Sequence, residues 1–349
     1  MNDPPPRDTY AVARLPASPA PVLVAPDAFK GTMTASQVTA ALVTGLRGAG
    51  VQADPCPVAD GGEGTLEALA EPLRARRLTV TVSDPLGRPV PAELALTDRR
   101  HRAPPTAVVE VAAASGLGLV SESERDPVAA STFGTGELVA AALAAGAEVV
   151  YVAAGGSATV DGGAGAIRAI AAAGGLGAAR LVVLCDVRTP WQDAARVFGP
   201  QKGAGAEAVA LLSRRLDDLA GALPRDPRGV AMTGAAGGLA GGLWAELGAE
   251  LRAGAPFVLD AVGFDARLRR ARAVLTGEGR LDEQSLAGKA VSEVATRARQ
   301  TGVPCYAVAG ACELDRFGQR ILDLQAVRQA GSLAALEREG AALAGLIFS

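Results

Sequence analysis

Histidine and asparagine each occur once in the 349 residues, as His101 and Asn2, and aromatic residues make up only 3%. A single histidine, following Arg99 and Arg100 in a polar stretch, reads as a surface residue. It is poorly placed as the base of a hydrolase, and no GxSxG elbow accompanies it. The four cysteines, Cys56, Cys185, Cys305 and Cys312, show no CxxC spacing, so a zinc site lacks ligands. They read as free thiols of a reducing compartment. Positive charge is not in excess either: the net charge is −3. With so few aromatics, no nucleic-acid surface is expected. No apolar run reaches membrane-spanning length and the N-terminus lacks a charged-then-apolar leader, which points to the cytoplasm and to no membrane partner.

Two nucleotide signatures are missing as well. Gly288-Lys289 has Glu283 where a Walker A motif needs its first glycine and Ala290 where it needs a hydroxyl. Gly134-Thr135-Gly136 and Gly277-Glu278-Gly279 lack the third glycine of a dinucleotide fingerprint. Lysine itself is scarce. Only Lys30, Lys202 and Lys289 stand among 34 basic residues, the rest being arginine. A composition so biased marks these three positions as places for a compact ammonium. Each lies in a glycine-rich block, APDAFKGT, VFGPQKGAG or SLAGKA, where backbone amides can approach an anion without a Cβ between them. Ammonium and bare amides together suit phosphate.

The length gives a prior of two domains, and 49% hydrophobic residues with 43 glycines describe a globular chain with glycine-built loops. Residues 1–20 are proline-rich and aperiodic and read as an unfolded extension. VLVA at 22–25 reads as a strand, followed by a helix whose start is marked by the Thr34 and Gln37 capping pair. A second strand leads to DGGEGT at 60–65 and another helix. LTVTV, DPLGRP and VPAELAL then read as a β-hairpin. A helix over Glu137–Ala145, strands at 149–154 and 181–187, and an amphipathic helix at 206–222 follow, before a flexible AAGGLAGG at 235–242. Strands at 273–279 and 305–310 flank a last helix ending near Arg299.

The expected architecture is α/β. A flavodoxin-like, doubly wound parallel sheet is formed by both chain ends (21–78 and 272–349), with a second, mixed α/β domain inserted at 79–271.

Acids stand beside the glycines at the strand exits: Asp60 before Gly61 and Gly62; Asp161 after Gly155, Gly156 and Ser157; Asp186 after a buried strand; and Glu278 and Asp282 around Gly277. Acids would repel a phosphate unless a divalent cation sits between them, and Mg²⁺ takes one or two carboxylates with phosphate oxygens. Such parts serve phosphoryl transfer, so a kinase is the leading class. Plainer roles remain open: a helix cap for Asp60 or Thr135, a turn for Asp161, solvated loop charges for Glu278 and Asp282.

In order, APDAFKGTMTA, PVADGGEGT, DPLGRPV, AAASGL, RDPVAASTFGTGEL, GGSATVDGGAG, the CDV strand end, VFGPQKGA, GAAGGLAGG and TGEGRLDEQSLAGK resemble the type 1 glycerate kinases of bacteria, from about Pro21 to Phe348. The resemblance implies transfer of phosphate from ATP to D-glycerate with Mg²⁺ in an interdomain cleft, with 2-phosphoglycerate favoured over 3-phosphoglycerate, by a monomer or homodimer. Under it, Asp186 is the first choice for the base and Asp60 the second. Lys30 and Lys289 meet phosphates, and Lys202 meets phosphate or the glycerate carboxylate. Gly61, Gly62, Gly155, Gly156, Ser157 and Gly277 join Lys289 around the nucleotide; Ser115, Thr132 and Thr135 face the substrate; Asp161, Glu278 and Asp282 hold the metal.

The chain departs from the family pattern in two places. Gly174 to Arg180 replace a longer excursion, and Arg188 and Thr189 stand where an asparagine is usual. These departures keep two alternatives open: a binding protein without turnover, and a kinase of a related hydroxy acid.

Overall fold

The computed structural model describes residues 20–99 and 103–347; His101 and the tail through residue 19 lie outside them. The chain builds β1 (Val22–Pro26), α1 (Ala35–Gly48), β2 (Ala53–Pro55) and α2 (Thr65–Leu73). Next come β3 (Arg76–Ser83), β4 (Pro89–Leu96), β5 (Thr106–Glu110), α3 (Val111–Ser115), α4 (Phe133–Ala144), β6 (Val149–Ala153), α5 (Ala164–Ala172) and β7 (Arg180–Leu184). The helices α6 (Ala194–Phe198), α7 (Ala206–Ala222) and α8 (Leu239–Leu247) lead to β8 (Glu250–Arg252), α9 (Gly254–Ala261) and α10 (Phe264–Leu268). β9 (Ala273–Leu281), α11 (Ala290–Thr301), β10 (Cys305–Cys312), α12 (Arg316–Ile321), β11 (Leu324–Gln329) and α13 (Leu333–Ile347) complete it.

Two sheets result. The first has the order β2-β1-β9-β10-β11, all parallel, so strands from both ends of the chain share it. Renumbered along the chain, that is the flavodoxin-like order 2-1-3-4-5, with its switch point between β1 and β9. β1 is buried along its whole length because it lies between two layers. One face packs Val22, Val24 and Leu275 on α1 and α13; the other packs Leu23, Ala25 and Val274 on α9, α10 and α11. The Thr34–Gln37 capping box opens α1 as the sequence predicts and is worth about 1 kcal/mol.

The second sheet, β3-β4-β5-β6-β7-β8, is mixed: β3, β4 and β5 pair antiparallel and β5 through β8 parallel. The predicted hairpin is β3–β4, with alternating exposure along β3. The chain passes from the first sheet to the second between Pro55 and Arg76, through α2, and returns between Arg252 and Ala273, through α9 and α10.

Three expectations change. The helix placed at Glu137 begins at Phe133, and Thr135 lies inside it rather than capping it. AAGGLAGG is not a flexible segment: residues 235–243 are buried and run into α8. Added Cβ atoms at Gly237 and Gly242 would lie 2.0 Å from the Thr159 and Gly162 carbonyl oxygens, so these glycines let α8 pack directly on the 159–162 backbone.

Candidate active site

The carboxyl ends of β1, β2 and β9 carry one compact group of charges. Lys30 Nζ donates to Asp60 Oδ2 at 2.7 Å, and Asp60 Oδ1 accepts the Gly62 amide at 3.0 Å. Half of the Lys30 side-chain surface is open, yet its ammonium end is crowded by protein atoms. Burial would lower its pKa, but Asp60 and Asp27 outweigh this and raise it. Burial likewise opposes ionisation of Asp60, while the Lys30 contact and the Gly62 amide prevail and hold its pKa below the usual carboxylate value. Asp60 therefore stays ionised. It does not cap α2, whose N-cap is Gly64.

Asp27, at the exit of β1, is 3% exposed and takes the Ala28 amide at 2.7 Å. Burial, then the charge of Asp60, push its pKa well up. Glu278 in β9 is pushed up by burial too, with the Ser285 hydroxyl and then Lys289 opposing; Lys289 Nζ stands 3.7 Å from Glu278 Oε2. Glu278 Oε1 is buried and has no hydrogen-bond partner among the described residues.

Asp186, just past β7 of the second sheet, joins this group. Its Oδ1 accepts the amides of Gly254 at 2.7 Å and Ala255 at 3.0 Å, the first turn of α9; Oδ2 takes only a longer bond of 3.2 Å from Ala255. Burial and then Asp60 raise its pKa to about 8, and Lys30 pulls the other way. Charges from both sheets thus interact at one place.

A second centre lies on the Gly155–Asp161 segment. Lys202 is 3% exposed, with Nζ donating to the Thr159 carbonyl at 2.6 Å and Ser157 Oγ at 3.3 Å. Among the described residues no carboxylate touches it. Burial lowers its pKa to about 7, and Asp161 only partly offsets that. Asp161 is committed elsewhere: it accepts the Thr132 amide and hydroxyl and the Gly163 and Gly165 amides, and so ties α5 to α4. The Thr132 hydroxyl also accepts the Ala166 amide. Thr135 donates to Ser115 at 2.7 Å, both fully buried. All of these read as framework beneath the segment.

The two centres touch through backbone that carries no side chains. A Cβ on Gly155 would lie 2.4 Å from Gly62 Cα, and one on Gly254 would lie 2.3 Å from the Asp60 carbonyl oxygen and 2.4 Å from Gly61 Cα. Any larger residue would separate the loops that hold Asp60, Lys202 and Asp186. Gly156 carries the fold in another way, its carbonyl accepting the Leu117 amide. Gly277 lies inside the sheet, where a Cβ would meet the Val308 carbonyl at 2.2 Å, so strand packing alone accounts for it.

A family model described as the glycerate kinase family matches residues 22–175 and 171–338. The chain belongs to the glycerate kinase family. It is 39% identical to a glycerate kinase of Bacillus subtilis (84% of this chain and 86% of that one) and 36% identical to glycerate 2-kinase of Escherichia coli K12 (83% and 84%). The crystal structure of a Salmonella typhimurium LT2 protein assigned as glycerate kinase 2 superposes with a TM-score of 0.76 at 34% identity, covering 94% of this chain and 98% of that one. The two parts of the family match meet at residues 171–175, where this chain runs from α5 to β7 through a short turn. The sequence reading places the shortened excursion at this turn.

Within this family frame, Asp161, Glu278 and Asp282 do not assemble into one ligand set. Among the described residues no group of three or more His, Cys, Asp or Glu is placed to hold a metal ion. Asp282 caps the turn that follows it by accepting the Gln284 amide. Two buried acids beside the site have no counterpart in the sequence reading, Asp27 and Glu110. Glu110 ends β5 and accepts the Leu66 amide of α2 at 2.8 Å; burial pushes its pKa up to about 7. Both are acids at the exit of a buried apolar strand, the signal that singled out Asp186. An open depression of about 430 Å³ lined by Pro21, Arg47 and residues 50–53 lies at the opposite, amino-terminal edge of the first sheet, away from these groups. No helix among the described residues is long and apolar enough to cross a membrane.

Proposed function

We propose that the chain transfers the γ-phosphate of ATP to D-glycerate in the presence of Mg²⁺, giving 2-phosphoglycerate. One observation carries the reading. Two centres of charge, at the carboxyl ends of two sheets, meet through backbone free of side chains, and family membership supplies the substrate class. Phosphoryl transfer asks mainly for positioning and charge stabilisation. Lys30 and Lys289 would meet phosphate oxygens, with Lys30 held charged by Asp60 and Asp27. The buried Lys202 ammonium, with no carboxylate in contact among the described residues, would take the glycerate carboxylate. Asp186 would accept the hydroxyl proton at Oδ2, the less engaged oxygen, and its pKa of about 8 suits proton transfer near neutrality. A bound Mg²⁺ would neutralise charge on the transferring phosphate, and the surplus of carboxylates beside Lys30 and Lys289, with an unpartnered oxygen on Glu278, fits a hard cation.

³¹P NMR of the protein with MgATP and D-glycerate tests both activity and product. A phosphomonoester resonance at the secondary carbon, with ADP formed in equal amount, is expected. ATP left intact over many hours would overturn the kinase reading; a primary phosphomonoester would overturn the 2-phosphate assignment.

A further inference from the structure

We infer that Asp27 and Glu278 are the protein's own ligands for the divalent cation, at the switch point between β1 and β9; the inference rests on the kinase reading. The two strands run in parallel register with Pro26 opposite Gly277, and the Asp27 amide donates to the Gly277 carbonyl at 2.8 Å. Asp27 and Glu278 are therefore the next residues on neighbouring strands, which lie about 4.8 Å apart in such a sheet. They are near enough for their charges to interact. In open α/β sheets, ligands bind outside the carboxyl ends of the strands at such a switch point.

The decisive feature is an oxygen. Glu278 is 7% exposed and, among the described residues, its Oε1 has no hydrogen-bond partner, while Oε2 lies beyond hydrogen-bond distance of Lys289 at 3.7 Å; the nearby Ser285 hydroxyl is shared with the Asp282 amide and the Arg280 carbonyl. A buried carboxylate oxygen without donors is costly unless a cation meets it. The other acids are already engaged. Asp60 gives one oxygen to Lys30 and the other to Gly62. Asp161 accepts four donors, Asp186 holds the first turn of α9, and Asp282 caps a turn. Asp27 has spent one oxygen on Ala28. Two carboxylates are also what Mg²⁺ takes from a protein when phosphates and water fill its remaining positions. The chain by itself forms no cage, so the ion should bind weakly alone and tightly with the nucleotide.

The test uses Mn²⁺ and a non-hydrolysable β,γ-imido analogue of ATP, reading free Mn²⁺ by electron paramagnetic resonance without any turnover. Wild-type protein should bind one Mn²⁺ per chain, far more tightly with the analogue than without it. D27N and E278Q should each weaken binding at least tenfold, and D282N should leave it within twofold. Wild-type affinity in D27N and E278Q, or loss of the ion in D282N alone, would overturn the assignment. Should either variant fail to fold, Fe²⁺ with ascorbate and peroxide cuts the wild-type backbone close to its bound ion. Cuts beside residues 27 and 278 are expected, and cuts confined to other segments would overturn the assignment. Normal Mn²⁺ binding with no transfer to D-glycerate would instead remove the kinase reading and leave the metal site standing.

Discussion

Replacing Gly155 by alanine tests whether the side-chain-free contact between the two centres matters to the chemistry. The added Cβ would lie 2.4 Å from Gly62 Cα, whereas ordinary contact begins near 3.4 Å, so one loop must yield by about 1 Å. Gly155 has no positive φ, so alanine strains nothing but this contact. Gly62 donates its amide to Asp60 Oδ1, and Asp60 holds Lys30, so the displacement reaches the charged cluster within two residues. A misplacement of 1 Å costs about 10²-fold in rate, or about 2.7 kcal/mol of barrier. Overpacking should lower stability by about 1–3 kcal/mol as well. The assay is ADP release at saturating ATP and D-glycerate, beside urea unfolding. Gly118→Ala, where a Cβ meets nothing within 4 Å, serves as the control. Turnover by G155A within twofold of wild type would refute the argument, since the loops could then separate without consequence.

Other outcomes follow from the charges. K30M should lower kcat/KM by about 10- to 150-fold, the loss of one charge-assisted contact of about 1.5–3 kcal/mol; a change below twofold would remove Lys30 from the site. The kcat/KM profile should be bell-shaped and centred between pH 7 and 8, because Asp186 must be ionised and Lys202 protonated, with pKa values of about 8 and about 7. D186N should remove the acid limb and K202M the alkaline limb, and limbs that persist in both would show that other groups titrate. Glu110 is raised from 4.5 to about 7, so its contribution to stability is full below about pH 4.5 and lost as pH rises through 7. E110Q should therefore gain on wild type in unfolding free energy between pH 5 and 8; a constant difference across that range would contradict the buried, proton-holding Glu110.

Much of this was legible in the chain because local signals and global topology agree. The Thr34–Gln37 pair, the hairpin around DPLGRP and the 3.6-residue period of 206–222 each appear as α1, β3–β4 and α7. Scarcity picked out Lys30, Lys202 and Lys289, although Lys202 proved far more buried than its glycine loop implies. What could not be read was which hydroxyls and acids are satisfied by one another. Thr132 and Asp161 stand 29 residues apart and Ser115 and Thr135 stand 20 apart, and nothing local says that they pair. The same limit hid the packing glycines. AAGGLAGG has a loop composition, and only the approach of 159–162 turns it into buried structure.

The two crossings between the sheets explain why Glu110, an acid that is not at the reacting centre, still bears on it. α2 and α9 carry the chain across, and they pack together through Leu66, Leu69 and Val258. Each begins on a carboxylate at a strand end of the second sheet: Leu66 on Glu110, and Gly254 and Ala255 on Asp186. These amide hydrogen bonds fasten both crossing helices to one sheet, while α9 also packs on α10 and α11 of the other. The spacing between the Lys30 and Lys202 centres therefore depends on two buried carboxylates. Asp186 serves as tether and proposed base at once: its Oδ1 anchors α9, and its Oδ2 is left for the proton. A substitution there disturbs positioning and proton transfer together, which is why the pH limb of D186N, rather than its rate alone, separates the two.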